Sequence, residues 1–126
     1  MRFNIKMVHA ICVGILSLSS NILGATARVT ITDDLRFVPD HIKISIGDNI
    51  EFVNESRFNH TVTADPSLVK NSDNVQLPEG AVPFNSGLLT TGKMFNQTFT
   101  VPGNYRYTCL PHEMFGMQGQ IEVASN

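Results

Sequence analysis

The chain lacks four features that would indicate a membrane span, a nucleic-acid-binding surface, a helical fold or a repeat architecture. Its longest apolar run, Met7 to Leu18, is well short of the roughly 20 residues that span a bilayer. No cluster of Lys and Arg follows it, which argues against binding to nucleic acid or to an anionic membrane. No segment of ten or more residues has a helical pattern, and there are no internal repeats. Short strands are therefore the expected regular elements.

The N-terminal segment has the features of a signal peptide. Arg2 and Lys6 supply a basic start, the apolar run follows, and Ala25-Thr26-Ala27 gives an Ala-x-Ala cleavage pattern. An uncleaved membrane anchor is disfavoured because the run is short and contains His9. We expect residues 1–27 to be removed on export to a bacterial periplasm.

The mature part, residues 28–126, has the size of one domain. It carries seven Lys and Arg against eleven Asp and Glu, a net charge of −4, which is consistent with simple solubility. Only two cysteines occur, and Cys12 would leave with the signal peptide. Cys109 is then alone and cannot form an intramolecular disulfide. An unpaired thiol in an oxidising compartment must be buried and inert, or ligate something, or react.

The mature sequence reads as β structure throughout. Residues 42–46 alternate apolar and polar side chains, and Tyr105, Tyr107 and Cys109 share one strand face. A long connection runs from 65 to 87, with at most a helical turn near 67–69. Other strands are expected at 28–32, 50–53, 60–64, 93–101 and 119–123. Seven to eight short strands predict an all-β fold, a Greek-key β-sandwich.

Four residues form a candidate metal site. Cys109 ends a strand, His112 follows at +3 and Met117 at +8, so one short loop carries a thiolate, an imidazole and a thioether. His60 lies far earlier, at an expected strand start, and can reach the same end of a sandwich. Two imidazoles, a thiolate and a weak thioether select copper, and this set with a long axial Met is the blue-copper arrangement. The copper would alternate between Cu(I) and Cu(II).

The loop Cys-x-Pro-His-x-x-x-Gly-Met resembles that of the cupredoxins of the plastocyanin, pseudoazurin and amicyanin group. Weaker similarity covers most of the mature chain, including 37–48, 60–63 and 99–107. Many members have asparagine after the first histidine ligand, where this chain has Thr61, so the hydrogen bond between the two ligand loops is either made by the threonine hydroxyl or missing. Glu113 is expected to place a carboxylate at the rim of the metal site.

The resemblance implies a non-enzymatic electron carrier that acts as a monomer. Its partners would be redox proteins such as c-type cytochromes, oxidases or dehydrogenases, which would dock on an apolar patch formed by Leu110, Pro111, Met114 and Phe115. The alternative is a periplasmic copper storage or delivery protein. An enzyme with Cys109 as nucleophile is disfavoured because no Gly-rich elbow or orienting acid accompanies it. Three glycosylation triplets, which begin at Asn54, Asn59 and Asn96, receive little weight in a chain with a bacterial type of signal peptide.

Overall fold

The computed structural model describes residues 24–125, which contain nine strands and two short 3₁₀ helices. The first 3₁₀ helix is Ser72–Asn74 and the second is Leu110–Phe115. The strands are β1 Thr26–Ile31, β2 Phe37–Val38, β3 His41–Ser45, β4 Asn49–Asn54, β5 Thr63–Ala64, β6 Phe84–Asn85, β7 Met94–Thr98, β8 Gly103–Thr108 and β9 Gln118–Ala124.

The strands form two sheets, which confirms the predicted β-sandwich. One sheet has the order β2-β1-β4-β7 and the other β3-β9-β8-β5-β6. β1 pairs with β4 in parallel, and β3 pairs with β9 in parallel, whereas the other pairs are antiparallel. Parallel neighbours cannot be joined by a hairpin, so the chain crosses between the sheets instead.

Side chains from both sheets form one core. Tyr107 of β8 lies at its centre, fully buried, with its ring edge-on to Phe37 at 4.7 Å and to Phe52 at 5.3 Å between centroids. Its ring also occupies the space beside Gly119 of β9, where any Cβ would collide with it. The predicted inward face of β8 is confirmed, because Tyr105, Tyr107 and Cys109 are all buried.

Several boundaries differ from the sequence-based expectation. β1 begins at Thr26, so Thr26 and Ala27, which we assigned to the signal peptide, pair with the first residues of β4. The strand expected at 60–64 is reduced to β5, and His60 makes only an isolated bridge to Leu89. β2 and β6 were not predicted, since two-residue strands leave no period to detect. The helical turn lies at Ser72–Asn74 and not at 67–69.

The basic start and apolar run of the expected signal peptide lie outside the described residues. Within residues 24–125, none of the helices has the length and apolar character to pass through a bilayer.

The hydroxyl of Tyr107 suggests a test of the core. It has no hydrogen-bond partner among the described residues, and burial raises the pKa of Tyr107. Tyr107→Phe should therefore raise the free energy of unfolding of the metal-free protein, by about 1 kcal/mol, because an unsatisfied polar group is removed. Tyr105→Phe is the matched control, since the Tyr105 hydroxyl donates to Val101 O at 2.7 Å, and its loss should lower stability by about 1 kcal/mol. Denaturant titration measures the free energy of unfolding of both variants. A Tyr107→Phe variant less stable than the wild type would show that the Tyr107 hydroxyl does have a hydrogen-bond partner.

Candidate metal centre

Two separate segments carry the four predicted donor residues at one end of the sandwich. His60 precedes β5 and is fixed by paired backbone bonds with Leu89, His60 N to Leu89 O at 3.1 Å and Leu89 N to His60 O at 2.7 Å. Cys109 directly follows β8, His112 lies in the second 3₁₀ helix, and Met117 directly precedes β9. The structure thus places His60, Cys109 and His112 together, and Met117 follows them on the same loop.

Three of the donors face one another at short range. Cys109 Sγ lies 3.5 Å from His60 Nδ1 and 3.3 Å from His112 Nδ1. The ligand atoms of the three residues all lie within 4.8 Å of one another, and the two imidazole rings are inclined by 48°. Both histidines therefore present the same nitrogen, Nδ1, toward the sulfur.

Backbone bonds close the loop that carries the other donors. The amide of Cys109 donates to Met117 O at 3.1 Å, and the Thr108 hydroxyl donates to the same oxygen at 2.9 Å. Gly116 has a φ of 72°, a left-handed conformation that glycine adopts without a Cβ penalty, and its amide caps the 3₁₀ helix on Glu113 O. Met117 is 2 % exposed, whereas Met114, the other methionine of this loop, is 78 % exposed.

Thr61 makes the contact between the two ligand segments that the sequence left open. Its hydroxyl oxygen accepts from the amide of Leu110 at 2.8 Å, and its own amide donates to Cys109 Sγ at 3.4 Å. The threonine hydroxyl therefore supplies the bond between the loops.

The hydroxyl of Thr61 is also bonded to that of Thr63, and the number of available hydrogens determines which of the two is the donor. Asn85 Oδ1 accepts from the Gly87 amide at 3.2 Å, which fixes the orientation of the Asn85 side chain, and it also accepts from the Thr63 hydroxyl at 2.9 Å. Since Thr63 has a single hydroxyl hydrogen, its bond of 2.9 Å with Thr61 must be donated by Thr61. The result is an ordered chain of donors from the Leu110 amide to Asn85.

Glu113 does not lie at the rim, so that expectation was wrong. Its side chain is 8 % exposed and turns inward to the connection between β5 and β6. The carboxylate accepts from the amides of Lys70 at 2.9 Å and Asn71 at 3.0 Å, and from Asn74 Nδ2 at 2.8 Å. Burial raises the pKa of Glu113, but these hydrogen bonds lower it by more, so the net pKa is below the ordinary value. Glu113 therefore attaches the ligand loop to the long connection.

Burial keeps His60 and Cys109 uncharged before a metal binds. Removal from water, with the nearby His112, lowers the pKa of His60 to about 4. Burial raises the pKa of Cys109, although hydrogen bonds from Thr61 and His112 oppose that shift. At neutral pH the site holds a neutral imidazole and a thiol, so a metal that binds the sulfur must displace its proton.

The chemistry of this donor set fits copper. A thiolate and a thioether are soft ligands that suit Cu(I), and imidazole suits both oxidation states. Zinc would gain little from a methionine, because structural zinc sites use cysteine and histidine.

One edge of the site reaches the surface. His60, Cys109 and Met117 are buried, whereas His112 is partly exposed and its ring lies 6.3 Å from that of Phe115. Around His112, Pro111, Met114 and Phe115 are exposed and Leu110 is partly exposed. Sequence reasoning missed two further exposed apolar side chains beside the His60 segment, Phe58 and Leu88, because neither stands in the ligand motif.

Comparisons with known proteins agree with this geometry. Residues 25–124 match the family model described as copper binding proteins, plastocyanin/azurin family. Plastocyanin of Vicia faba is 32 % identical over 71 % of this chain and 88 % of its own length. Chloroplastic plastocyanin of Silene latifolia subsp. alba is 31 % identical over 84 % of this chain, which spans only 64 % of that protein. A purple cupredoxin from Nitrosopumilus maritimus, 22 % identical, superimposes with a TM-score of 0.62 over 78 % of this chain and 99 % of its own. The chain belongs to the copper-binding plastocyanin/azurin family of cupredoxins.

Proposed function

We propose that this protein is an exported carrier of single electrons, with one copper ion held by His60, Cys109, His112 and Met117. One observation carries the proposal: among the four donors, only His112 has access to solvent. Bound copper supplies the redox chemistry by alternating between Cu(I) and Cu(II). The side chains of the protein position the ion, exclude water from it and leave one edge through which electrons can pass.

Rigidity of the donors supports transfer of electrons. Cu(I) and Cu(II) favour different coordination, so a site that moves little between them lowers the cost of each transfer. Here the Thr61 hydroxyl joins the two ligand segments, and the Glu113 carboxylate fixes the loop to residues 70–74. Both contacts are made by buried groups, which restricts motion of the donors.

The same burial opposes the two other functions considered. Storage or delivery of copper requires ready exchange, whereas three donors are buried and the loop is closed by backbone bonds. An enzyme that used Cys109 as a nucleophile would need to expose the thiol to a substrate, but its exposed fraction is 0 %.

Docking is proposed at the apolar patch of Leu110, Pro111, Met114 and Phe115, which surrounds the exposed edge of His112. Exposed apolar patches mark partner sites, and the interfaces of electron-transfer partners are small and transient. The partner class is a redox protein such as a c-type cytochrome, an oxidase or a dehydrogenase. Because Glu113 is buried, its carboxylate cannot make direct contacts with such a partner.

Export to a periplasm is proposed on the signal-peptide pattern of residues 1–27. Thr26 and Ala27 are paired in β1, so cleavage after Ala27 would remove two strand residues. Intact-mass measurement of the exported protein locates the cleavage point.

Replacing Cys109 tests the thiolate ligand. Cys109→Ser should fold, because serine is close in size, and should still bind some Cu(II) through the imidazoles. The intense thiolate-to-copper absorption should disappear, leaving only weak d–d bands in the visible spectrum. Wild-type protein loaded in parallel is the control, and a variant that kept the strong colour would show that Cys109 is not a ligand.

Substitution of Met117 tests the axial position. Met117→Leu removes a weak donor to Cu(II) and should raise the reduction potential, whereas Met117→Gln supplies a stronger oxygen donor and should lower it. The same substitutions at Met114, which is exposed, should leave the potential unchanged. Voltammetry measures all four variants, and equal potentials across the Met117 series would exclude it as the axial ligand.

A charge at the patch tests the route of the electron. Phe115→Lys should slow bimolecular exchange with a c-type cytochrome about tenfold, equivalent to roughly 1.4 kcal/mol in the encounter, while the absorption spectrum stays unchanged. Val82→Lys introduces the same charge at a side chain that is also exposed, 80 % against 67 %, and that borders a cleft with Val101, at the opposite end of β8 from Cys109. Stopped-flow kinetics measure both, and equal slowing by the two variants would refute docking at the patch.

A further inference from the structure

His60 has a second buried partner on the side away from the sulfur. Its Nδ1 faces Cys109 Sγ at 3.5 Å, and its other ring nitrogen, Nε2, lies 2.7 Å from Ser56 Oγ. Both His60 and Ser56 have an exposed fraction of 0 %, so no solvent competes for this contact. A hydrogen bond of this length in a dry site strongly constrains the ring.

Ser56 is itself held in place by Asn54, which is also fully buried. The amide of Ser56 donates to Asn54 Oδ1 at 2.9 Å. The two hydrogens of Asn54 Nδ2 go to Phe58 O and Leu89 O, each at 2.8 Å. Since Leu89 also pairs with the backbone of His60, the same asparagine positions both the serine and the strand partner of the histidine.

One arrangement of hydrogens satisfies every polar group around the Ser56–His60 bond. The Phe58 amide donates to Ser56 Oγ at 3.1 Å, and Phe58 O accepts the hydroxyl hydrogen of Ser56 at 3.1 Å. The hydroxyl has only one hydrogen, so its remaining lone pair can accept from His60 Nε2. In this arrangement Nε2 carries the ring hydrogen, Nδ1 keeps its lone pair, and every polar atom has a partner.

We propose that Ser56 is a positioning residue that holds His60 in the tautomer with hydrogen on Nε2 and thereby presents Nδ1 to copper. The inference rests on the proposed function, because it concerns the same copper site. A partner on the second ring nitrogen fixes both the tautomer and the orientation of a ligating histidine. Loss of such partners typically weakens metal binding about 10- to 100-fold.

The proposal also gives a role to a pattern that the sequence analysis set aside. The triplet Asn54-Glu55-Ser56 matches a glycosylation signal, but the side-chain amide of Asn54 is buried and fully hydrogen-bonded. In the folded protein this amide has no access to a modifying enzyme. Asn54 and Ser56, the two polar residues of this triplet that are buried, instead position the imidazole of His60.

Ser56→Ala is the direct test, with Ser86→Ala as the matched control. Ser86 is partly buried at the same end of the sandwich, its Oγ accepts from Val62 N at 2.8 Å, and its bonds are to backbone groups alone. Copper binding, measured by competition with a chelator, should weaken about 10- to 100-fold in Ser56→Ala. Ser86→Ala should bind copper like the wild type. Equal affinity in Ser56→Ala and wild type would overturn the proposal.

Nuclear magnetic resonance of the wild-type protein tests the tautomer without any variant. In the diamagnetic Cu(I) form, a long-range proton–nitrogen spectrum should show the His60 hydrogen on Nε2, protected from exchange with water. The metal-free protein should show the same tautomer. A hydrogen on Nδ1 in the metal-free protein would overturn the inference, even if Ser56→Ala failed to fold.

The two proposals fail in distinguishable ways. If wild-type protein gave no intense colour with Cu(II), the proposed electron carrier would be wrong, and the metal-free spectrum would still decide the role of Ser56. If the wild type were coloured and Ser56→Ala matched it in affinity and in protection of the ring hydrogen, only the role of Ser56 would be wrong.

Discussion

The bond from the Leu110 amide to the Thr61 hydroxyl is the contact on which the site most depends. One donor lies in the segment before β5 and the other three lie between β8 and β9, 49 residues later at the nearest. This bond joins the two segments directly, and the chain of donors through Thr63 to Asn85 orders the hydroxyl that makes it. A site built from distant parts of the sequence is thus fixed by hydrogen bonds of known direction, whose buried members have no alternative partner in water.

The β-sandwich fixes the position of the Cys109 sulfur, which the hydrogen bond between the loops does not determine. β8 and β9 pair throughout their lengths, from Gly103 with Val123 to Thr108 with Gln118, so the two ends of the ligand loop are held side by side. Tyr107, two residues before the thiol, packs edge-on against two aromatic rings of the facing sheet. Because core positions tolerate little change in volume, the strand that carries the thiol has little freedom to shift. Packing therefore determines where the sulfur lies, and polar bonds determine how the two loops meet around it.

The sequence predicted the local features of the site and missed the tertiary ones. Cys109, His112 and Met117 could be grouped from the sequence because they share one loop, and alternation along β8 placed the cysteine on the inner face. The buried position of the Glu113 side chain could not be predicted from local sequence. A carboxylate in a loop is ordinarily solvated, and only the fold brings the amides of residues 70 and 71 within reach of it. The same reason hid the contact of Ser56 with His60.

The arrangement of the four donor residues also restricts the orientations in which a redox partner could bind productively. With three donors buried and one edge of His112 open, the surface proposed to pass electrons is a small fraction of the molecule's surface. Two proteins that must meet through such small regions associate at about 10⁵–10⁷ M⁻¹s⁻¹, well below the diffusion limit, unless long-range charge orients them. If electrons pass through this one imidazole edge, as proposed, the molecule is selective by orientation, because most random encounters bring another face forward.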